Sequence, residues 1–351
     1  MKKHLFTILI VIMSICLTSC NNLSQYKDGL NKKTSTPKSD SSSQSSDEDR
    51  LFSDVDDISS IIAGLESGNN SEGDISSPTL VNSNDKNGDT SSGNKPPNTE
   101  KTVINYKNMK AVWISYMDFG KFRGNSKEDF CKNVKMMFTK CKEVGLNTVI
   151  TQVRAFGDAF YESQFFPWSR YVTGTAGKAA DYDPLLVIVE EAHKLNLSVQ
   201  AWINPYRIMT DTEIKQVNLK YKIRQWYTGS DNDYMINIAG RWWLKPGNSE
   251  VKSLITDGAN EIMKNYNVDG LHIDDYFYGA SIESYEDTKQ QAQKNTSELV
   301  QGLYKVVKSV DKNKIFGVSP AGGFVGDIPD SDVKNLSTDL LKWCKNPGYI
   351  D

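Results

Sequence analysis

From Lys110 onward the chain repeats one pattern: a short run of β-branched and aromatic residues, then an amphipathic helix. The strand-like runs are "KAVWISYMDF", "NTVITQVRAF", "SVQAWINPYRI", "DGLHIDDYFY" and "KIFGVSP". The helical segments between them carry their own start and stop signals. Ser126 precedes one, with Asp129 three residues on and Gly145 at the end; Asp183 and Pro184 open another; "NSEVKSLITDGANEIMKNY" and a long segment ending near Val310 follow. A further short helix is expected between Leu336 and Lys345.

Alternating strands and helices fold into a parallel sheet, either a closed barrel or an open doubly wound sheet. Two features favour the barrel. The segment after the first strand, "SYMDFGKF", is nothing like a G-x-G-x-x-G nucleotide turn. Polar residues gather instead where the strands end: Asp118, Arg154 with Asp158, Asn204 with Arg207, Asp274 with Asp275, and Ser319. Barrel enzymes build their sites on that face. The reading is therefore an α/β, TIM-type (β/α)8 barrel. A full barrel has eight strands and only five are seen, so the expectation is a barrel cut short, with "YID" at residues 349–351 starting a sixth strand.

The first 107 residues read differently. Met1 to Cys20 has Lys2 and Lys3, then an apolar run, then small residues before Cys20, which is the form of an export signal. "LTSC" resembles the lipobox of bacterial lipoproteins, which implies cleavage before Cys20, a lipid on its sulfur and a membrane anchor. Residues 21–107 are rich in Ser, Asn, Asp, Gly and Lys and lack the apolar content to offset chain entropy. They are expected to form a disordered linker, either a tether or a tail without spacing value.

Net charge is −3 and no basic patch stands out, so nothing argues for nucleic acid. Cys131 and Cys141 lie on one helix about 15 Å apart along its axis, too far for a disulfide. His193 and His272 are the only histidines beyond the signal, and no zinc-ligand spacing occurs. No metal and no cofactor is expected.

"TQVRAFGDAFYESQFFPWSRYVTGTAGKAADYDPL", "AWINPYR", "KPGNSEV" and "VDGLHIDDYFY" together resemble the bacterial glycosyl-hydrolase-like 10 family, formerly a domain of unknown function. The likeness covers residues 108–351. It implies a TIM-type barrel and a secreted or lipoprotein glycosidase acting on cell-envelope glycan, with peptidoglycan as the substrate class. Two departures stand out: "GVSPAGGF" replaces an aromatic or Phe-Gly element after the proline, and the family's later strands, with a Pro-Gln-aromatic segment, are absent.

"GLHIDD" then becomes the focus. Alternate strand residues face opposite sides, so Leu271 and Ile273 share one face and His272 and Asp274 the other. If the apolar pair packs on helices, Asp274 points inward at the mouth and is the first candidate for a catalytic carboxylate. Glycoside hydrolysis normally uses two; Asp158 is the second candidate, ahead of Asp118 and Glu162, with the missing strands an alternative source. Tyr276, Phe277 and Tyr278 are expected to extend a sugar-stacking surface, and Asp275 to cap a loop or orient a neighbour.

The remaining candidates carry two readings each. Asp274 and Asp275 can instead cap a turn or pair with arginine. Arg154 and Arg207 are either sugar contacts or ion-pair partners. Asn204 is a ligand or a strand-ending turn before Pro205. Trp202 is barrel filling or a sugar platform. His272 is a hydrogen-bonded core residue or a group that tunes Asp274. The long connection holding Trp242 and Trp243 is a cleft wall or a packed loop. Three function classes follow: a glycosidase on envelope polysaccharide, a glycan-binding lipoprotein without catalysis, and a metal-dependent hydrolase, the last disfavoured by the histidine spacing.

Overall fold

The computed structural model describes residues 103–230, 233–275, 277–279, 282–320 and 337–351. The expected signal, Cys20, nearly all of the linker, and Tyr276 lie outside the described residues.

In chain order the elements are β1 (Ala111–Ile114), α1 (Tyr116–Gly120), α2 (Lys127–Glu143), β2 (Thr148–Arg154), α3 (Arg170–Thr173), α4 (Pro184–Lys194) and β3 (Ser198–Ile203). They continue with β4 (Arg207–Thr210), α5 (Asp211–Ile214), α6 (Lys222–Thr228), β5 (Met235–Ile238), β6 (Arg241–Leu244) and α7 (Ser249–Asn265). The last are β7 (Gly270–Ile273), a 3-10 turn (Ile282–Tyr285), α8 (Lys289–Val310), β8 (Ile315–Val318) and α9 (Leu340–Lys345). The expected caps are in place. Ser126 Oγ accepts from Asp129 N at 3.1 Å, and Asp183 Oδ1 accepts from Leu186 N at 3.0 Å.

The main sheet has the order β1-β2-β3-β7-β8, and every neighbouring pair is parallel. Each crossover adds its strand to the same growing edge, and the order never reverses. An open doubly wound sheet reverses at a switch point; this sheet is wound in one direction, as in a (β/α) barrel, with five strands described. Its two faces differ. Val149, Val199, Ala201, Leu271, Ile273 and Phe316 are all fully buried. The other face carries Trp113, Gln152, Gln200, Trp202 and His272, residues that share register across neighbouring strands. At that level Gly317 faces His272: a Cβ on Gly317 would lie 2.7 Å from the imidazole Nδ1, so the ring occupies space that only glycine leaves.

Three expected strands end earlier than the sequence suggests. β1 stops at Ile114 because Ser115 and Asp118 form a capping box: Ser115 N donates to Asp118 Oδ2 at 2.8 Å and Met117 N donates to Ser115 Oγ at 3.2 Å. Asp118 is thereby a cap, not a residue of the mouth. β7 stops at Ile273. β3 stops at Ile203, ahead of Pro205, and Arg207 begins a separate three-stranded antiparallel sheet of order β4-β6-β5. That small sheet occupies the long connection; its hairpin turns at Ala239 and Gly240, both at positive φ, as a tight two-residue hairpin requires.

At the opposite end of the sheet, the chain before β1 is anchored by Asp269. This fully buried carboxylate accepts from Ile104 N at 2.6 Å, Val199 N at 2.8 Å and His193 Nε2 at 2.8 Å. Tyr106 adds a bond from its hydroxyl to Asn196 O at 2.6 Å. Among the described residues, Ile104 and Tyr106 already make tertiary contacts. At the other terminus Asp351 N donates to Phe316 O at 3.2 Å and Asp351 Oδ2 accepts from Phe316 N at 2.7 Å, which lays the last residue along the outer edge of β8. Replacing Asp269 by alanine strands three donors at once. Asp269→Ala is expected to cost more than about 3 kcal/mol, read as a fall in the urea unfolding midpoint.

Candidate active site

Asp274 follows β7 directly, at the C-terminal end of the sheet, and is largely buried. A buried carboxylate needs donors, and the neighbouring strand supplies them. Trp202 Nε1 donates to Asp274 Oδ2 at 3.0 Å and Asn204 Nδ2 donates to the same oxygen at 2.5 Å. The Asn204 Oδ1 accepts in turn from Gln152 Nε2. Sequence parity therefore places Trp202, Asn204 and Asp274 on one face, and the structure brings them together.

One layer below sits His272. Its Nδ1 lies 2.9 Å from Gln200 Oε1 and its Nε2 lies 2.9 Å from Ser319 Oγ. A carbonyl oxygen only accepts, so Nδ1 carries the hydrogen and Nε2 accepts from the serine hydroxyl. Burial pushes the imidazole down to about 4, so it is neutral at ordinary pH. Trp113 packs edge-on against both neighbours, with ring centroids 4.6 Å from Trp202 and 4.8 Å from His272. Trp113 is 39% exposed. The inner face therefore carries a part-exposed indole, Trp113, in contact with Trp202, whose own Nε1 holds the carboxylate; carbohydrate sites set apolar sugar faces against rings, and hydroxyl and reacting oxygens against acids.

The glycosyl hydrolase-like 10 family matches residues 108–351. The chain belongs to that family. Glycosyl hydrolase YngK of Bacillus subtilis is 31% identical over 275 residues, covering 70% of this chain and 53% of that protein. Glycosyl hydrolase DigH of Escherichia coli K12 is 31% identical over 259 residues, covering 66% of this chain and 58% of that protein. The chain thus spans somewhat more than half the length of either relative. Among solved structures, the PgaB glycoside hydrolase domain of Bordetella bronchiseptica aligns at a TM-score of 0.40 and 12% identity, covering 60% of this chain and 64% of that one. A likeness that loose adds nothing to the assignment.

Within this glycosyl hydrolase-like domain, several expected site residues lie elsewhere. Arg154 is fully buried and turned away from the mouth. The register shifts at Val153: Gln152 pairs with Trp202, but Arg154 pairs with Ile203. One extra residue flips every following side chain. Arg154 consequently packs on the helix side, its guanidinium 4.2 Å from the Phe166 ring centroid and its Nη1 only 2.7 Å from where a Cβ on Gly258 of α7 would stand. Burial lowers its pKa from the ordinary arginine range.

Asp158 is also buried, and its Oδ1 accepts from Ala155 N at 3.1 Å and Phe156 N at 2.9 Å. Burial raises its pKa, against bonds from Ser169 and those two amides. It is a clamp on the loop leaving β2. Tyr278 is buried too, its hydroxyl donating to Asp287 Oδ2 at 2.6 Å, and Phe277 packs on Trp343 with centroids 6.1 Å apart. These two rings fill the loop's own core and offer no sugar surface.

Arg207 stays at the rim, half-buried. Its Nε donates to Ala155 O at 3.1 Å, and its guanidinium lies 4.4 Å from the Phe156 ring, which Arg241 approaches at 4.5 Å. Asp275 is half-exposed, its carbonyl accepting from Phe277 N at 2.9 Å. In the long connection Trp243 is buried against Gly279, while Trp242 donates from Nε1 to Asp211 Oδ1 at 3.2 Å. Among the described residues no group of three or more His, Cys, Asp or Glu is placed to hold a metal.

Trp113 and Gln152 escaped the sequence reading. The signal that finds them is parity applied to every strand: each occupies an inward position of its own strand.

His272 gives a pH prediction. The unfolded chain takes up a proton near pH 6.5, whereas the folded ring resists it until about pH 4. Its contribution is fully present above about pH 6.5 and is lost as the pH falls towards 4. His272→Gln should flatten the acid loss of stability across that window by up to roughly 3 kcal/mol, measured by urea unfolding at a series of pH values.

Proposed function

We propose that this domain hydrolyses glycosidic bonds in a bacterial cell-envelope polysaccharide, with the glycan strands of peptidoglycan as substrate, and that Asp274 is one of its catalytic carboxylates. Membership of a glycosyl hydrolase-like family supports the reaction class. The observation that carries the assignment of Asp274 is its setting: a carboxylate at the C-terminal end of a barrel strand, on the inner face, held by Trp202 Nε1 and Asn204 Nδ2. Two N–H groups aimed at one oxygen suit the ionised form. That is the form which acts as nucleophile, as base, or as a stabiliser of the cationic sugar in the transition state. Trp113, part-exposed against the Trp202 ring, would carry the apolar face of a sugar ring.

The export-type N-terminus supports an extracytoplasmic location. A lipid on Cys20 would anchor the protein in a membrane, and residues 21–107 would let the domain reach the wall. Labelled fatty acid should enter the wild-type protein in a producing bacterium and be absent from Cys20→Ser.

The decisive test is digestion of purified sacculi, with soluble products identified by mass spectrometry. The wild-type protein is expected to release sugar fragments. Asp274→Asn should cut the rate by about a thousandfold while leaving sacculus binding within about twofold, and a chelator should not change the wild-type rate. If neither protein releases sugar but both sediment with sacculi, the protein is a glycan-binding module and Asp274 has no catalytic role.

A further inference from the structure

The hydrogen bonds around Asp274 run in one direction. They begin at a backbone amide. Tyr116 is the first residue of α1, and the first N–H groups of a helix have no partner within it. Tyr116 N donates to Gln152 Oε1 at 3.2 Å. An N–H can only donate, so the Gln152 carbonyl must face it, and the Gln152 amide nitrogen must face the other way. That nitrogen donates to Asn204 Oδ1. Asn204 is turned in the same sense, and its nitrogen donates to Asp274 Oδ2 at 2.5 Å. Gln152 and Asn204 are each 1% exposed, so water does not compete for these bonds.

We infer that Gln152 is a positioning residue: it fixes the orientation of the Asn204 amide and, through it, the Asp274 carboxylate. Gln152 lies two strands away from Asp274 and reaches it through Asn204. Its effect is carried entirely by which end of Asn204 points at the acid. An amide has a donor end and an acceptor end of nearly equal size. Among the described residues, the Asn204 side chain bonds Gln152 at one end and Asp274 at the other. With Gln152 in place the donor end is selected before substrate arrives, at no cost in reorganisation. The inference rests on the proposed role of Asp274 for its catalytic consequence, but the orientation itself is a property of the folded chain.

The direction of the relay gives a test that a role in packing would fail. Gln152→Glu changes almost no volume, but a carboxylate at 152 accepts and does not donate. It still takes the Tyr116 N–H, and it then attracts the nitrogen of Asn204. Asn204 turns over and presents its carbonyl to Asp274, acceptor to acceptor. Gln152→Leu removes the selection without reversing it. The reporter is the Trp202 indole, whose Nε1–H bonds Asp274 Oδ2 directly. With the seven tryptophans labelled with nitrogen-15, the Trp202 resonance is assigned by its absence in Trp202→Phe.

The expected result is a shift of the Trp202 indole signal in Gln152→Glu that exceeds the shift in Gln152→Leu, with the Trp226 and Trp343 signals unmoved. Lowering the pH to protonate the introduced carboxylate should return the Trp202 signal towards its wild-type position. On sacculi, Gln152→Glu should lower kcat by about a hundredfold, the scale of an ångström of misplacement, with KM within about twofold. A Trp202 signal that stays put in Gln152→Glu, in a protein whose other indole signals show it folded, overturns the inference. So does a wild-type kcat in that variant. A wild-type protein that cleaves nothing, yet shows the directional shift, removes the proposed function and leaves the positioning role standing.

Discussion

Strand β7 is a buried apolar segment held between two buried carboxylates, and how each is solvated fixes much of the domain. Asp269 stands where the strand begins and Asp274 where it ends. Neither can be left without donors in a site that excludes water. Asp269 takes two backbone amides and one imidazole, drawn from the N-terminal segment, β3 and α4. Those bonds lock the closed end of the sheet, and two of the three donors cannot be changed by substitution. Asp274 takes two side-chain donors from β3 and the residue just beyond it. The same chemical group is structural at one end and adjustable at the other, and the difference lies in who donates.

The regular part of this fold was readable because its periods are simple. Runs of β-branched and aromatic residues gave the strands, and the caps at Ser126 and Asp183 placed the starts of two helices. The strand ends were not readable. "YMDFG" has the aromatics of a strand, but Ser115 and Asp118 close a capping box that turns it into a helix. The small antiparallel sheet was hidden for a similar reason. Its strands are four residues each, too short for periodicity to register, and only the turn at Ala239 and Gly240 marks it.

The site was legible where parity held. Trp202, Asn204, His272 and Asp274 all follow from alternation within their own strands. It failed at Arg154, where a one-residue shift in pairing with β3 leaves no mark in the sequence. It failed again at Phe277 and Tyr278, because an aromatic after an acid looks the same whether it faces a sugar or Trp343. Gln152 went unseen for a chemical reason. A search for catalysis looks for groups that titrate, and an amide does not; its value is that it can donate at one end and accept at the other.

The shift at Val153 also decides the electrostatics of the mouth. With unbroken alternation from Gln152, Arg154 would face inward beside the residues that hold Asp274. A guanidinium there would form a charge-assisted, two-pronged bond with the carboxylate and cancel the negative potential that a cationic sugar would feel. The extra residue moves that cation to the helix side, where it lies against Phe166 and near Glu261. Asp274 has an indole and a carboxamide among its partners and, one layer down, an imidazole that burial keeps neutral. Neutral dipoles satisfy the lone pairs of a carboxylate without neutralising its charge. In the proposed reaction a negative group desolvated enough to act strongly and oriented by its donors is the requirement.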